Sequence, residues 1–388
     1  MRTGKQGSLV FDVPAPYYPS DTLSLNELAH WVAFSRFPGI GPKRFHKLLA
    51  RFHDDVIAAW NADGSVLTGV GIDTRTLEKF LAHRKTVTPQ QELERLEKRR
   101  IRVVTLKDET YPPLLRKFEY APIVLYIYGR LTEDDNRFTL GVVGTRKMSS
   151  YGRQVTEKLS TDLAKGNITV VSGLALGVDT IAHQAALDAG GRTLAVLANG
   201  LDTIYPAENL SLAKRIVESG QGALISTFPL GVRPDAGNFP ARNHIISALS
   251  LGVLVTEAPQ KSGAIITASS ALQQGREVFA VPGGIFSNAS AGVNKLIQEG
   301  AHPVTSVKDI IERLNLYMVP QHVEAQAVLP HNDEERALLA LLSYEAQHID
   351  ELTRASSMQP HEVAATLTMM ELKGMVRQIG PMQYVVTR

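Results

Sequence analysis

Between residues 101 and 283, short apolar runs alternate with longer stretches of mixed polarity. The runs are IRVVTL (101–106), VLYIYG (124–129), TLGVVG (139–144), ITVVSG (168–173), TLAVLA (193–198), GALIST (222–227), GVLVTE (252–257) and EVFAVPG (277–283). A strand with one wetted face alternates apolar and polar positions, and these do not. They predict strands buried on both faces, as in a parallel sheet. The intervening stretches 151–165, 178–189, 207–219 and 263–275 have the length and spacing of helices. The predicted fold is therefore α/β, a Rossmann-like doubly wound and mostly parallel sheet covered by helices on both sides.

The flanks follow other patterns. Residues 1–20, punctuated by Pro and Gly, are expected to be disordered, and 21–85 read as a small all-helical domain. Within it, FPGIGPKRFHKLLARF sets Gly39 and Gly41 between two amphipathic helices, with Lys43 just beyond. This resembles a helix-hairpin-helix, whose turn amides meet a DNA phosphate; a tight turn in a helical bundle reads the same way. Residues 90–100 predict a charged, mostly solvated helix, and the Rossmann-like domain is assigned to 86–314. After a linker at 315–332, residues 333–388 give helices at 333–343, 347–355 and 360–373, then a hairpin turning at Gly380-Pro381. That order predicts a winged helix.

In an open α/β sheet, ligands bind beyond the carboxyl ends of the strands. The loops there hold Gly144, Thr145, Arg146 and Lys147, then Ser172, Gly173 and Gly177, and finally Lys261, Ser262 and Gly263. Small residues beside a helix start allow close approach to free amides and favour anions, and Arg146 and Lys261 add full charges. A separate stretch, NFPARNHIISALS, places Phe239, Arg242, Asn243 and His244 at the start of an apolar helix. It reads as an aromatic face for base stacking beside a guanidinium for phosphate, or as a capped helix with Phe239 as its staple.

Composition narrows the chemistry. The 388 residues include no cysteine, which removes disulfides, thiolate nucleophiles and thiolate metal sites and suits a reducing, cytoplasmic setting. No apolar run has the length of a membrane span. The net charge of +2 requires any nucleic-acid site to be a local groove. Asp179 and His183 stand four apart on one helix, without a nucleophile in an elbow context, and His183 suits a core or capping role. There is no G-x-x-x-x-G-K-[ST] loop and no histidine pair at zinc spacing. No catalytic residue, metal or cofactor is assigned.

Together, GVVGTRKMSSYG, VSGLALGVDTIAHQAALDAGGRTLAVLANGLDTIYPAEN, FPARNHIISALS, VTEAPQKSGAIITASSALQQGREVFAVPGG and GVNKLIQEGA resemble the DNA-processing protein A family, DprA or Smf, over about 108–301. The resemblance implies a single-stranded DNA-binding protein that protects incoming strands and loads the RecA recombinase in natural transformation or recombination. It also implies a homodimer through the Rossmann-like domain, with a SAM-like helical domain and a winged helix as flanks. The DNA pocket it implies comprises Arg146 on the glycine-serine-arginine turn, Phe239, Arg242 and Asn243 on the phenylalanine-proline-x-arginine-asparagine motif, and Lys261-Ser262-Gly263. Thr145 replaces the usual serine and keeps a hydroxyl. His244 replaces a common arginine or lysine, which would make phosphate grip pH-dependent. Thr227 stands where glutamate is typical.

Two enzyme classes fit less well. PGGIFSNASAG lacks the G-T-x-x-E of the nucleoside-monophosphate phosphoribohydrolases, and GTRKMSSYG lacks the dinucleotide glycines. A protein-interaction adaptor is the third alternative. Two glutamates and one lysine on PHEVAATLTMMELK favour protein contact over duplex reading for the winged helix.

Overall fold

The computed structural model describes residues 7–8, 22–316 apart from 134 and 136, 332–342, 347–356, 358–372, 375–380 and 382–386. The chain forms two compact units, Met1–Val319 and Pro320–Arg388.

A nine-stranded sheet organises the first unit. Its strands are β1 (Arg102–Thr105), β2 (Val124–Gly129), β3 (Thr139–Val143), β4 (Thr169–Ser172) and β5 (Thr193–Leu197). There follow β6 (Gly222–Ser226), β7 (Gly252–Val255), β8 (Glu277–Ala280) and β9 (His302–Pro303). Every residue of β3 to β7 is buried, as the unbroken apolar runs require. The order across the sheet is β9-β8-β7-β3-β4-β5-β6-β2-β1. Neighbours from β9 to β6 run parallel. The edge strands β2 and β1 add antiparallel. The chain leaves β3 towards β4, β5 and β6, then returns to β7 on the other side of β3. The crevice beyond the carboxyl ends of β3 and β7 is thus the switch point where such sheets bind ligands.

Five helices pack on this sheet: α1 (Ser150–Lys165), α2 (Val178–Asp188), α3 (Leu210–Glu218), α4 (Asn238–Ala248) and α5 (Gly263–Gln273). Alternate residues of the same strands serve the two faces. Leu140, Val142 and Val170 pack with Leu159 and Leu163 of α1 and Val178 and Ala182 of α2. Val143, Val171 and Val253 pack with Ile245 and Ile246 of α4 and Ala264 and Ala268 of α5. Each such valine, leucine or isoleucine side chain, fully buried, stabilises the fold by roughly 2 kcal/mol.

The N-terminal helices carry an aromatic core in which Phe34 stacks on Phe80 at 5.5 Å and meets Phe45 and Trp60 edge-on. The first helix, Leu25–Ser35, starts at a capping box between Ser24 and Glu27. This core is continuous with Val103, Tyr126 and Leu224 of the sheet, so packing runs unbroken across residues 85 and 86. Helix Pro89–Glu97 is polar outside, as expected, and buries Leu93 and Leu96. Gly7–Ser8, inside the stretch expected to be disordered, pairs with Thr203–Ile204; the rest of 1–20 and most of the expected linker lie outside the described residues. Strands of two residues, such as β9, leave no periodicity to detect.

The second unit has helices Asp333–Leu341, Ile349–Ser356 and Pro360–Leu372, followed by strands Val376–Gly380 and Gln383–Val386. Leu338, Leu352, Val363, Leu367 and Tyr384 form its core. Among the described residues, no helix is long and apolar enough to cross a membrane.

Candidate nucleic-acid interface

Beyond β3 and β7 lies an open cavity of about 280 Å³. Of the residues singled out in the sequence, Gly144, Thr145, Arg146, Phe239, Arg242, Asn243, Lys261, Ser262 and Gly263 line it. Segments more than a hundred positions apart therefore meet at one crevice. Arg146, Lys147 and Lys261 are exposed. Their charges face solvent, and among the described residues no acid forms an ion pair with any of them. The Arg146 guanidinium sits 5.3 Å from the centre of the Phe239 ring. Arg242 approaches the same ring at 5.8 Å, and Tyr205 lies 6.0 Å away. Phe239 is half-buried and surrounded by these groups, so its ring serves as a platform for Arg146 more than as a free stacking face.

Arg242 occupies a different environment from the exposed cation the sequence suggested. It is 5 % exposed, and one guanidinium nitrogen donates to the carbonyls of Gly173 and, at 2.9 Å, Val196. A Cβ at position 173 would overlap that guanidinium, so the absence of a side chain at Gly173 makes the room Arg242 needs. Burial, reinforced by Arg146 and opposed by Asp179, pushes the Arg242 pKa down to about 10. It remains charged at neutral pH, beneath the cavity floor. Asp179 is also buried, and its carboxylate accepts from the Gly173 amide at 3.1 Å. Burial raises its pKa, against the pull of Arg242. Asp179, Ala175, Ile246, Pro259 and Thr267 complete the wall and were not assigned from sequence; only Asp179 carried a signal there, as an acid in the first turn of a helix after a glycine loop.

Of the other assigned residues, Lys147, Ser172, Gly173 and Gly177 lie off the cavity wall. The Ser172 hydroxyl is fully buried and donates to the Val142 carbonyl at 2.7 Å, joining β4 to β3. Gly177, at φ 81°, takes a backbone conformation open to glycine and starts α2, whose Val178 amide donates to the Thr145 carbonyl at 3.2 Å. Lys147 stands just outside, its amide fixed by the Thr145 hydroxyl at 3.2 Å. Ser262 caps α5 by accepting from the Ala264 amide. Asn243 donates to the Gly263 carbonyl at 3.3 Å. At Gly263 an added Cβ would meet nothing within 4 Å, so the first turn of α5 is open to a ligand.

His244 faces elsewhere. Successive residues of a helix are turned by about 100°. Two steps beyond Arg242, its ring lies nearly parallel to Phe118 at 6.5 Å and lines a second cavity of about 1,120 Å³. Phe37, Ile40 and Gly41 line that cavity too. Gly39 packs against the Phe37 ring, and Lys43 is tied to Glu119 at 2.5 Å and to the Tyr120 hydroxyl at 3.2 Å. His244, expected at the strand site, thus faces the larger cavity, and Lys43, expected as part of a second DNA contact, is engaged by Glu119. His183 is fully buried, hydrogen-bonded to Thr193 at 2.6 Å, and held neutral by burial at a pKa of about 3.

The first unit thus has a doubly wound sheet with a cationic crevice at its switch point, and the second is a winged helix. The family model for DNA recombination-mediator protein A matches residues 102–315, and that for the DprA winged helix domain matches 322–380. The chain belongs to this DprA/Smf family. It is 34% identical to Protein Smf of Synechocystis over 92% of this chain and 98% of that one. It is 38% identical to Protein Smf of Escherichia coli over 89% and 95%. Among solved structures, DprA of Streptococcus pneumoniae matches with a TM-score of 0.62 and 32% identity, over 75% of this chain and 98% of that chain. DprA of Helicobacter pylori, described for its single-stranded DNA binding mode, matches with a TM-score of 0.50 and 32% identity over 55% of this chain and 96% of that one.

Proposed function

We propose that this protein binds single-stranded DNA along the carboxyl edge of its sheet, without chemistry on the strand. The observation that carries this reading is the set of exposed cations Arg146, Lys147 and Lys261, in no ion pair among the described residues, around an open cavity of about 280 Å³. Pockets that enclose a whole small molecule generally exceed about 300 Å³. An open site of this size suits one phosphate or sugar unit of a longer chain. Arg146, held over Phe239, and Lys261 neutralise phosphates, while Arg242 sets the positive potential from beneath. At the start of α5 the backbone of Gly263 is open to close approach.

As in the family it belongs to, the bound strand would be protected and passed to a RecA-type recombinase in natural transformation or recombination. The working form would be a homodimer through the sheet domain, in the cytoplasm, with no cofactor. The acids of the third winged-helix element favour a protein partner for that unit.

The test is fluorescence anisotropy of a labelled single-stranded oligonucleotide in EDTA without nucleotide, against the matching duplex. Selective single-strand binding that weakens with salt supports the reading, and a requirement for ATP or Mg²⁺ contradicts it. Faster RecA filament growth on strands coated with single-strand-binding protein tests the handover.

A further inference from the structure

In doubly wound sheets the start of the first helix after the central strand holds ligand phosphate, because its free amides and dipole attract anions. Here that helix is α1, sixteen residues long, and its start is already occupied. The Glu257 side chain reaches across the switch point from the end of β7 and accepts from the Ser149 amide at 2.8 Å and the Ser149 hydroxyl at 2.6 Å. Ser149 in turn caps the helix by accepting from the Gly152 amide at 3.0 Å. A Cβ on Gly152 would collide with the Glu257 carboxylate, so this first turn leaves the carboxylate its place. Glu257 is 1 % exposed. Its main-chain carbonyl accepts from the Thr145 amide at 2.7 Å. One residue thus holds both ends of the loop 145–149 that carries Arg146 and Lys147.

We propose that Glu257 is a built-in anion, filling the phosphate place at the start of α1 and positioning the Arg146 loop from there. The consequence is one of specificity. A free nucleotide finds its usual helix anchor taken, and phosphate is left to the side-chain cations displayed outside it. The missing dinucleotide glycines and the arginine in the turn then have a common cause, since the loop wraps a carboxylate of the protein instead of a pyrophosphate.

The test needs no DNA, so its outcome is separate from that of the proposed function. The melting temperature of full-length Glu257→Ala is measured in sodium formate and in sodium chloride at equal ionic strength. A cavity shaped for a carboxylate should take up formate. The expected result is a melting temperature on the order of 5 °C below the parent protein, partly restored by formate and not by chloride, with the parent unmoved. Equal responses to the two salts would overturn the proposal. Should the alanine variant fail to fold, Glu257→Gln keeps the shape without the charge. Its melting temperature is expected to fall by about 2–6 °C, and a value equal to or above that of the parent protein would also overturn it.

Discussion

Helix α4 separates two cavities that differ in almost every respect. On one side, Arg242 and Asn243 face an opening of about 280 Å³ ringed by Arg146 and Lys261. On the other, His244 and Ala248 face about 1,120 Å³ lined largely by Phe, Pro and Ile side chains. The larger space is lined by Lys117 and Arg276 and also by an acid, Glu119, which holds Lys43. In the smaller, Arg146 and Lys261 form no ion pair among the described residues, and the acid in its wall, Asp179, is buried beside Arg242. Volume alone would favour the larger side for a polyanion; unpaired charge beside open backbone favours the smaller, the side proposed above. An anion gains little where a carboxylate already competes for the cation, and gains most where the cation is prearranged and unpaired.

The largest expected effect comes from beneath the smaller cavity. Gly173→Ala puts a methyl group into the Arg242 guanidinium and should displace a buried, hydrogen-bonded charge. Urea unfolding should show a loss of about 3 kcal/mol or more, with single-strand binding weakened in the same variant. Unchanged stability would mean that Arg242 is not seated there.

Next in size is an acid effect. His183 is neutral when folded, with a pKa of about 3 against an ordinary 6.5. Between those values the unfolded chain binds a proton that the folded chain refuses. Stability should therefore fall as pH drops below 6.5, by up to about 1.4 kcal/mol per pH unit, and His183→Gln should flatten that slope in urea melts. Arg146→Ala should lower single-strand affinity about tenfold at low salt. It should leave stability within about 0.5 kcal/mol. The loss should be the same for poly-dT and mixed sequences.

The smallest effects belong to the larger cavity. His244→Ala and Lys43→Ala should each change single-strand affinity by about twofold at most, because one side chain faces away from the strand and the other is held by an exposed acid. Affinity should also be flat between pH 6 and 8. A tenfold loss in either variant would move the strand to the other side of α4.

The sheet was legible in the sequence because burial on both faces leaves unbroken apolar runs, and the switch point follows from the strand order they build. The loops were legible for the same reason, as they must follow those runs. What pattern could not give was depth and direction. ARNH reads as three exposed polar residues, yet helix phase buries Arg242 and Asn243 and turns His244 to the opposite cavity. Ser172 looked like a loop hydroxyl and is an inter-strand tie. Glu257 gave no signal within VTEA, since its partner Ser149 is 108 positions away.

The central claim is that unpaired cations at the switch point hold a single strand. The most direct measurement is the salt dependence of single-strand affinity for the parent protein, Arg146→Ala and Lys261→Ala, by anisotropy. If each cation meets one phosphate, log affinity should fall linearly with log salt, and each variant should reduce the slope by about 0.7. Slopes identical to that of the parent protein in both variants would show that the strand does not lie on this edge.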